Sequence, residues 1–104
     1  MRCRNTKEDL LYAAQVADVV KIKKCLANGV SANCENSLIR TPLHLTTNKE
    51  VAAILIQNGA DVNSKDFMIR TPLHLTTNKE VAAILIQNGA DVNSKDFMVS
   101  RFVL

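Results

Sequence analysis

The chain contains few of the residues from which catalytic and ligand-binding motifs are built. Its 104 residues include three glycines, two prolines, two histidines and no tryptophan. No Gly-rich phosphate loop, GxSxG nucleophile motif or HExxH metal motif occurs among them. We therefore expect neither enzymatic activity nor a bound metal or cofactor.

Cysteine is scarce too, and its pattern excludes further kinds of site. Cys3, Cys25 and Cys34 are odd in number and lack the CxxC spacing of a zinc site, so we interpret them as reduced thiols. The sequence shows no apolar core of a signal peptide near its start and no run of about 18 apolar residues. These features predict an intracellular, cytoplasmic protein that does not enter a membrane, with a nuclear location left open.

Charge of neither sign dominates the chain. Thirteen basic and 10 acidic residues give a net charge of +3, and they are mixed along a sequence with only one tyrosine and three phenylalanines. The most basic stretch, with Lys21, Lys23 and Lys24, falls on a predicted helix and is interpreted as a solvated surface. We expect no nucleic-acid partner. The 47% of hydrophobic and 22% of charged residues are typical of a single folded domain.

What the chain does contain is a perfect internal repeat. Residues 39–68 recur letter for letter as residues 69–98, which gives a unit of 30 residues. A period of this length is typical of stacked-repeat proteins, in which one unit buries its apolar face only against a neighbour. We therefore expect any function to lie on a repeated surface and not in a single pocket.

The unit begins with the signals for a short helix. Thr41 can cap a helix, and Pro42 is well tolerated at a first helical position. The residues that follow the motif TPLH are poor helix formers, so this helix is expected to end near Thr47.

A second helix and a loop complete the unit. Asn48 is a suitable N-cap for a helix over residues 49–57, whose apolar side chains point to nearly every side. Gly59 is expected to close the helix, and residues 60–66 to form an extended loop. A helix with so much apolar surface predicts neighbours on both sides.

These motifs resemble those of the ankyrin repeat. TPLH stands at residues 41–44 and again at 71–74, while GADVN stands at 59–63 and again at 89–93. The resemblance implies an all-α, ankyrin-like solenoid of helix, turn, helix and loop, with about three repeats. It covers most of the chain, and two matches at a fixed spacing make it specific.

The resemblance also divides the chain, taken as one domain over residues 1–104. Residues 1–38 are interpreted as a diverged N-terminal capping repeat of full helix length, with its lysines on the wet outer face. Identical repeats follow at 39–68 and 69–98, and residues 99–104 form a tail.

The unit departs from the family pattern in three ways. It has 30 residues where about 33 are usual, and the loss between Leu45 and Glu50 predicts a shortened first helix with a tight corner. Ile39 and Ile69 stand where the family has glycine, so the loop either uses another turn or is strained. No capping repeat follows the last unit, so its apolar face at 81–86 is expected to be open.

His44 and His74 are the histidines of the two TPLH motifs. Neither has partner residues in a recognisable catalytic or metal-binding arrangement. As in the family, we expect each ring to hydrogen-bond back toward the loop and to have a structural role.

The resemblance implies a protein-binding module that uses loop tips and the concave helix face. The loop-tip candidates are Ser37, Leu38, Arg40, Phe67, Met68, Arg70, Phe97 and Met98. The polar candidates on the concave side are Thr47, Asn48, Asn58, Thr77, Asn78 and Asn88. Aromatic, methionine and arginine side chains are typical of binding surfaces. Two alternatives remain open. Phe67 and Met68 either cover the shortened helix corner or pack between adjacent loops, and Arg40 and Arg70 are solvated or ion-paired.

The identity of the two copies favours a different interpretation. Separate copies under drift seldom stay the same at every position, so the chain is alternatively an engineered or recently duplicated repeat protein without an evolved partner. Such a chain is expected to have a structural role or to associate with itself through residues 81–86. The partner is thus either another protein of unknown identity or a second copy.

Overall fold

Three pairs of α-helices follow one another along the part of the chain that the computed structural model describes, residues 6–92. The helices are α1 (Lys7–Val16), α2 (Val19–Ala27), α3 (Pro42–Leu45), α4 (Lys49–Gln57), α5 (Pro72–Leu75) and α6 (Lys79–Gln87). No strand occurs between residues 6 and 92. Cys3, Phe97, Met98 and the tail at 99–104 lie outside the described residues.

The helix pairs stack in sequence order. The first helices of the pairs contact one another from α1 to α3 and from α3 to α5, and the second helices do so from α2 to α4 and from α4 to α6. Each unit therefore buries its apolar residues against its neighbours. The predicted all-α solenoid of about three repeats is confirmed.

The first pair has the full helix length that the later pairs lack. α1 has 10 residues, whereas α3 has four. Thr6 caps α1 by accepting a hydrogen bond from the Asp9 N–H, and the Asp9 carboxylate accepts one from the Thr6 N–H. Lys23 and Lys24 are exposed, as expected, whereas Lys21 is half-buried. Tyr12 is also exposed, at 66%, so the surface of this pair is less polar than the sequence predicts.

A compact corner joins α3 to α4 where the unit is short. The helix ends at Leu45, earlier than at the predicted Thr47, because the backbone of Thr46 is already extended. The buried Thr46 hydroxyl accepts a hydrogen bond from the Asn48 N–H at 3.1 Å. The Asn48 side chain in turn accepts bonds from two N–H groups in the first turn of α4. The predicted short first helix and the Asn48 cap are confirmed.

Helices α4 and α6 have the same sequence but different surroundings. α4 lies between two neighbouring pairs, and its Ala52 is 0% exposed. The equivalent Ala82 in α6 is half-buried, and Ile86 is 50% exposed. Val81 and Leu85 remain at 0% exposure, so the prediction of an open face across 81–86 is wrong for these two side chains. Both belong to the hydrophobic core, whereas Ala83 and Ile86 of the same helix are exposed.

An asparagine in each loop ties consecutive loops together. Asn33 donates from Nδ2 to the Gly59 carbonyl oxygen at 2.9 Å and accepts from the Asp61 N–H at 2.8 Å. Asn63 makes the equivalent pair of bonds to the next loop, at 3.0 and 2.7 Å. The loops are therefore held at a regular spacing from one repeat to the next.

Candidate functional site

The loop before each TPLH motif ends in a tight turn, which we call tip 1 (residues 36–40) or tip 2 (residues 66–70). In tip 1, the Ile39 N–H donates to the Asn36 carbonyl oxygen at 2.9 Å, and the Asn36 N–H donates to the Arg40 carbonyl oxygen at 3.1 Å. The Asn36 Oδ1 atom also accepts from two N–H groups of the turn. Tip 2 has the same bonds, with Asp66 in the place of Asn36. Each turn is therefore fixed by its own side chain.

Ile39 and Ile69 adopt a backbone conformation that suits glycine. Both have a φ of +61°, in the left-handed region, where a β-branched side chain is disfavoured. The sequence left open whether the tip uses another turn or is strained. Isoleucine is held in the strained conformation, at a cost of about 1–2 kcal/mol per residue.

Tip 1 and tip 2 lie side by side and expose apolar side chains. The Phe67 N–H donates to the Leu38 carbonyl oxygen at 3.0 Å, which joins the two tips directly. The apolar side chains at and beside this bond are between 39% and 59% exposed. We call these residues the tip strip: Leu38, Ile39, Phe67, Met68 and Ile69.

Phe67 and Met68 are accessible to a partner. Phe67 is 51% exposed and Met68 is 40% exposed, so neither is enclosed between the two loops. Ser37, which has the position of Phe67 in tip 1, is exposed as well. A binding role for these residues stays a prediction, and their exposure is what such a role requires.

A buried carboxylate forms a second link between the tips. Asp66 Oδ2 accepts from Nε of Arg40 and from Nε of Arg70, both at 3.2 Å, and its side chain is 0% exposed. We call these three residues the arginine clamp. Burial raises the pKa of Asp66, but the N–H groups of Arg70 and Met68 and the arginine side chains outweigh it and hold the pKa below its usual value. Arg40 and Arg70 are thus ion-paired, which is the alternative that the sequence left open.

The charge of the residue at the start of each tip corresponds to the number of arginines that contact it. Asp66 receives Arg70 from its own tip and Arg40 from the tip before. Asn36 has no such arginine from a preceding repeat, because Leu10 stands 30 residues before Arg40. An uncharged amide makes the same turn bonds, and Arg40, the arginine of its own tip, pairs with Asp66 instead.

The four asparagines among the polar candidates hold helix ends. Asn48 and its equivalent Asn78 accept bonds from N–H groups in the first turns of α4 and α6. Asn58 and its equivalent Asn88 donate from Nδ2 to carbonyl oxygens in the last turns of the same helices, both at 2.8 Å. Part of their hydrogen-bonding capacity is therefore used within the fold.

The two threonines among the polar candidates are more available. Thr47 and Thr77 are exposed at the corners between the helices of a pair. The Thr47 carbonyl oxygen accepts a bond from Asn78 at 2.9 Å, which fixes the backbone beside the exposed side chain.

The histidine of each TPLH motif links a helix to a loop. His44 Nδ1 accepts from the Thr41 N–H at 3.0 Å, and Nε2 donates to the Arg70 carbonyl oxygen of the next tip at 2.8 Å. A neutral ring with its proton on Nε2 satisfies both contacts. Burial lowers the pKa of His44 and outweighs the opposing effect of the bond to Arg70. His74 accepts the equivalent bond from its own Thr at 3.0 Å.

Outside the tips, the described residues include two thiols and one groove as further candidate sites. No group of three or more His, Cys, Asp or Glu side chains in this range is arranged to hold a metal ion. Burial raises the pKa of the Cys25 and Cys34 thiols, which lowers their reactivity at neutral pH. A groove of about 260 Å³ between α2 and α4 has Lys23 as its one charged side chain. None of the described helices is long and apolar enough to cross a bilayer.

Four residues of the tips were not among the predicted site residues: Asn36, Ile39, Asp66 and Ile69. Ile39 and Ile69 were identifiable from the sequence as isoleucines at a position that favours glycine, but not as exposed side chains. Asp66 stands four residues before Arg70, a spacing that allows an ion pair. Its contact with Arg40 had no local signal, because that contact forms only when the repeats stack.

A comparison with protein families agrees with this geometry. A family model described as ankyrin repeats, in three copies, matches residues 10–96. The match includes both tips and nearly all of the six described helices. A comparison with curated proteins gives no match.

Proposed function

The chain belongs to the ankyrin repeat family, and on that premise we propose that it is a noncatalytic protein-binding module. The tip strip is the main contact surface, and the partner is another protein. An intracellular, cytoplasmic location is part of the same proposal, because the cysteines follow no disulfide pattern.

The main support for this proposal is that Phe67 is an exposed aromatic residue on an ordered backbone. Phe67 is 51% exposed while its backbone N–H is bonded to the Leu38 carbonyl oxygen. A side chain on an ordered backbone loses little further entropy when a partner covers it. Aromatic residues that a partner buries in this way are enriched among those that dominate binding energy.

Affinity capture from a cell extract tests the proposal with a variant taken from the chain itself. The double variant Phe67→Ser and Met68→Leu gives tip 2 the residues that tip 1 carries as Ser37 and Leu38. We expect capture by the wild-type chain to fall by roughly tenfold or more in this variant. Arg70→Ala is unsuitable, because it breaks the arginine clamp as well as changing the surface.

A second exposed aromatic residue provides the control. Tyr12 is 66% exposed on α1, so Tyr12→Ser removes an aromatic surface of similar size elsewhere. We expect it to leave capture unchanged, with thermal unfolding measured for all variants to show that each is folded. Capture that survives the double variant, or that is lost equally in Tyr12→Ser, would contradict the tip strip as the binding site.

The polar candidates have a smaller role in this proposal. Thr47 and Thr77 are exposed, and the backbone of Thr47 is fixed by the bond from Asn78, so they are suited to hydrogen bonds with a bound partner. We expect Thr47→Ala with Thr77→Ala to weaken capture by less than roughly tenfold. A loss as large as that of the Phe67 variant would move the main contact surface to the helix corners.

A second candidate function is self-association through the open end of the stack. Val92 is 48% exposed, whereas the equivalent Val62 is 8% exposed, and Ala82 is more exposed than Ala52 in the same way. We call the half-buried Ala82 and the exposed Ala83, Ile86 and Val92 the end face. Association through the end face fits a recently duplicated or engineered chain without an evolved partner.

Sedimentation over a wide range of concentration tests the second candidate. We expect the apparent mass and the melting temperature to rise with concentration if the end face pairs. Ile86→Glu should then abolish the rise, while Val20→Glu, a control at a side chain that is 65% exposed on α2, should not. A constant monomeric mass would contradict self-association and leave the first candidate unaffected.

A further inference from the structure

Tip 1 has an unused backbone donor at the edge of the tip strip. In tip 2, the Phe67 N–H donates to the Leu38 carbonyl oxygen at 3.0 Å. Ser37 has the same position in tip 1, and its N–H makes no hydrogen bond within the described part of the chain. Ser37 is exposed. The two tips are turns joined by one main-chain bond of the kind that joins neighbouring strands, and the equivalent donor at Ser37 is left open.

No earlier tip covers this edge. A preceding tip would fall 30 residues before tip 1, at residues 6–10. Thr6 is instead the N-cap of α1, and residues 7–10 are helical. The first repeat therefore begins with a helix where later repeats have a tip, and the Ser37 N–H has no counterpart of the Leu38 carbonyl oxygen.

The side chains beside the open donor are apolar. Leu38 is 39% exposed and Phe67 is 51% exposed, and the bond between their backbones places them next to each other. Covering exposed apolar surface of this kind is favourable for a partner with apolar side chains.

The two arginines of the tips are already paired. Arg40 and Arg70 both donate to Asp66, whose side chain is 0% exposed. An acidic partner would have to compete with a carboxylate that is held in place by backbone bonds and both guanidinium groups. An apolar partner leaves the arginine clamp undisturbed, so the charge arrangement favours it.

We propose that tip 1 binds an extended, apolar segment of a partner protein by strand addition. A backbone carbonyl of that segment accepts the Ser37 N–H, as the Leu38 carbonyl accepts the Phe67 N–H. Its apolar side chains cover Leu38 and Phe67. Strand addition obtains affinity from main-chain bonds and specificity from side-chain contacts. The inference rests on the proposed protein-binding function and specifies the chemistry of the partner.

The test uses the full-length chain and a phage-displayed library of random linear peptides as the probe. Enriched peptides are synthesised, and their affinities are measured for the wild-type chain and for Ser37→Pro, Ser37→Ala and Phe67→Ser. Proline removes the N–H and is well accepted at the second position of a turn. Alanine removes the same hydroxyl but keeps the N–H, which makes it the matched control.

We expect apolar peptides to be enriched and to bind Ser37→Ala as they bind the wild-type chain. Loss of one main-chain bond in Ser37→Pro should weaken binding roughly three- to tenfold, and Phe67→Ser should weaken it roughly tenfold or more. Thermal unfolding shows whether Ser37→Pro is folded. If that variant is unfolded, hydrogen exchange of the Ser37 amide in the wild-type chain tests the same bond. We expect this amide to exchange more slowly when peptide is bound.

The remaining outcomes separate this inference from the proposed function. Peptides that lose affinity in Phe67→Ser but not in Ser37→Pro would overturn strand addition and leave the tip strip as the binding site. Peptides insensitive to both variants would overturn both. Enrichment of acidic peptides, no enrichment, or unchanged exchange of the Ser37 amide would overturn the inference. So would binding that appears only after residues 1–5 are removed, because the chain's own N-terminus would then be the occupant.

Discussion

Arg40 in tip 1 donates from Nε to Asp66 Oδ2 in tip 2 at 3.2 Å, so an ion pair joins the two tips. The same oxygen accepts from Arg70, and the Asp66 side chain is 0% exposed. One buried carboxylate therefore sets the relative position of tip 1 and tip 2. The proposed binding surface depends on a charge that is itself inaccessible to a partner.

Replacing Asp66 by asparagine should separate the charge from the turn. Asn36 in tip 1 shows that an amide oxygen makes the turn bonds, at 2.8 and 3.1 Å. Asp66→Asn keeps those bonds but leaves Arg40 and Arg70 without their anion. We expect the free energy of unfolding, measured by urea denaturation, to fall by about 2 kcal/mol.

The reverse substitution in tip 1 is the control. Asn36→Asp places a carboxylate where no arginine from a preceding repeat is available, because Leu10 has that position. We expect no gain in stability from it. If Asp66→Asn left the free energy of unfolding unchanged, the arginine clamp would contribute no net stability and the turn bonds alone would hold the tips.

Glycine at the two left-handed isoleucines should stabilise the protein. Ile69→Gly removes strain of about 1–2 kcal/mol and adds chain flexibility that costs about 0.5–1 kcal/mol. Ile69 is 59% exposed and Ile39 is 43% exposed, so Ile69→Gly loses less packing and should give the larger gain. Thermal unfolding measures the change. Met68→Gly, in the same turn but without a positive φ, should lower the melting temperature, and a similar loss in Ile69→Gly would contradict the assigned strain.

Helix boundaries and caps could be predicted from the sequence because their signals are local. Asn48 caps α4 from the preceding residue, and the Thr41 N–H donates to a histidine three residues later. The end of α3 at Leu45 was less predictable, because it depends on a bond between the Thr46 hydroxyl and the Asn48 backbone. Local sequence signals were therefore sufficient to predict most of the helices.

The site was only partly predictable, because its contacts depend on stacking. Arg40 meets Asp66 across 26 positions, and nothing near either residue distinguishes this pair from two solvated charges. The difference in burial between identical residues could not be predicted from the neighbouring sequence either. Ala52 and Ala82 have the same neighbours in sequence, yet the first is buried and the second is half-buried.

The stability of the protein should fall below neutral pH because of His44. Burial holds the pKa of His44 below its ordinary value of 6.5, so the unfolded chain binds a proton more readily than the folded protein does. The contribution is fully present above about pH 6.5 and is lost as the pH falls through the folded-state pKa. For one proton, the slope cannot exceed about 1.4 kcal/mol per pH unit.

Urea denaturation over a pH series, with an NMR titration of the His44 ring, measures this effect. His44→Gln cannot titrate, so its unfolding free energy should be lower at neutral pH but should depend less on pH in this range. A His44 pKa at or above the ordinary value would contradict the prediction, since protonation would then not oppose folding.

Identical substitutions in the two identical helices isolate the effect of a covering repeat. Ala52→Leu adds volume at a position that is 0% exposed beneath the next repeat, and overpacking of this kind costs about 1–3 kcal/mol. Ala82→Leu makes the same change on the half-buried end face, where we expect a loss within about 0.5 kcal/mol. Because the local sequences match, helix propensity cancels between the two variants. Equal losses, measured by urea denaturation at low protein concentration, would mean that Ala82 is covered in solution.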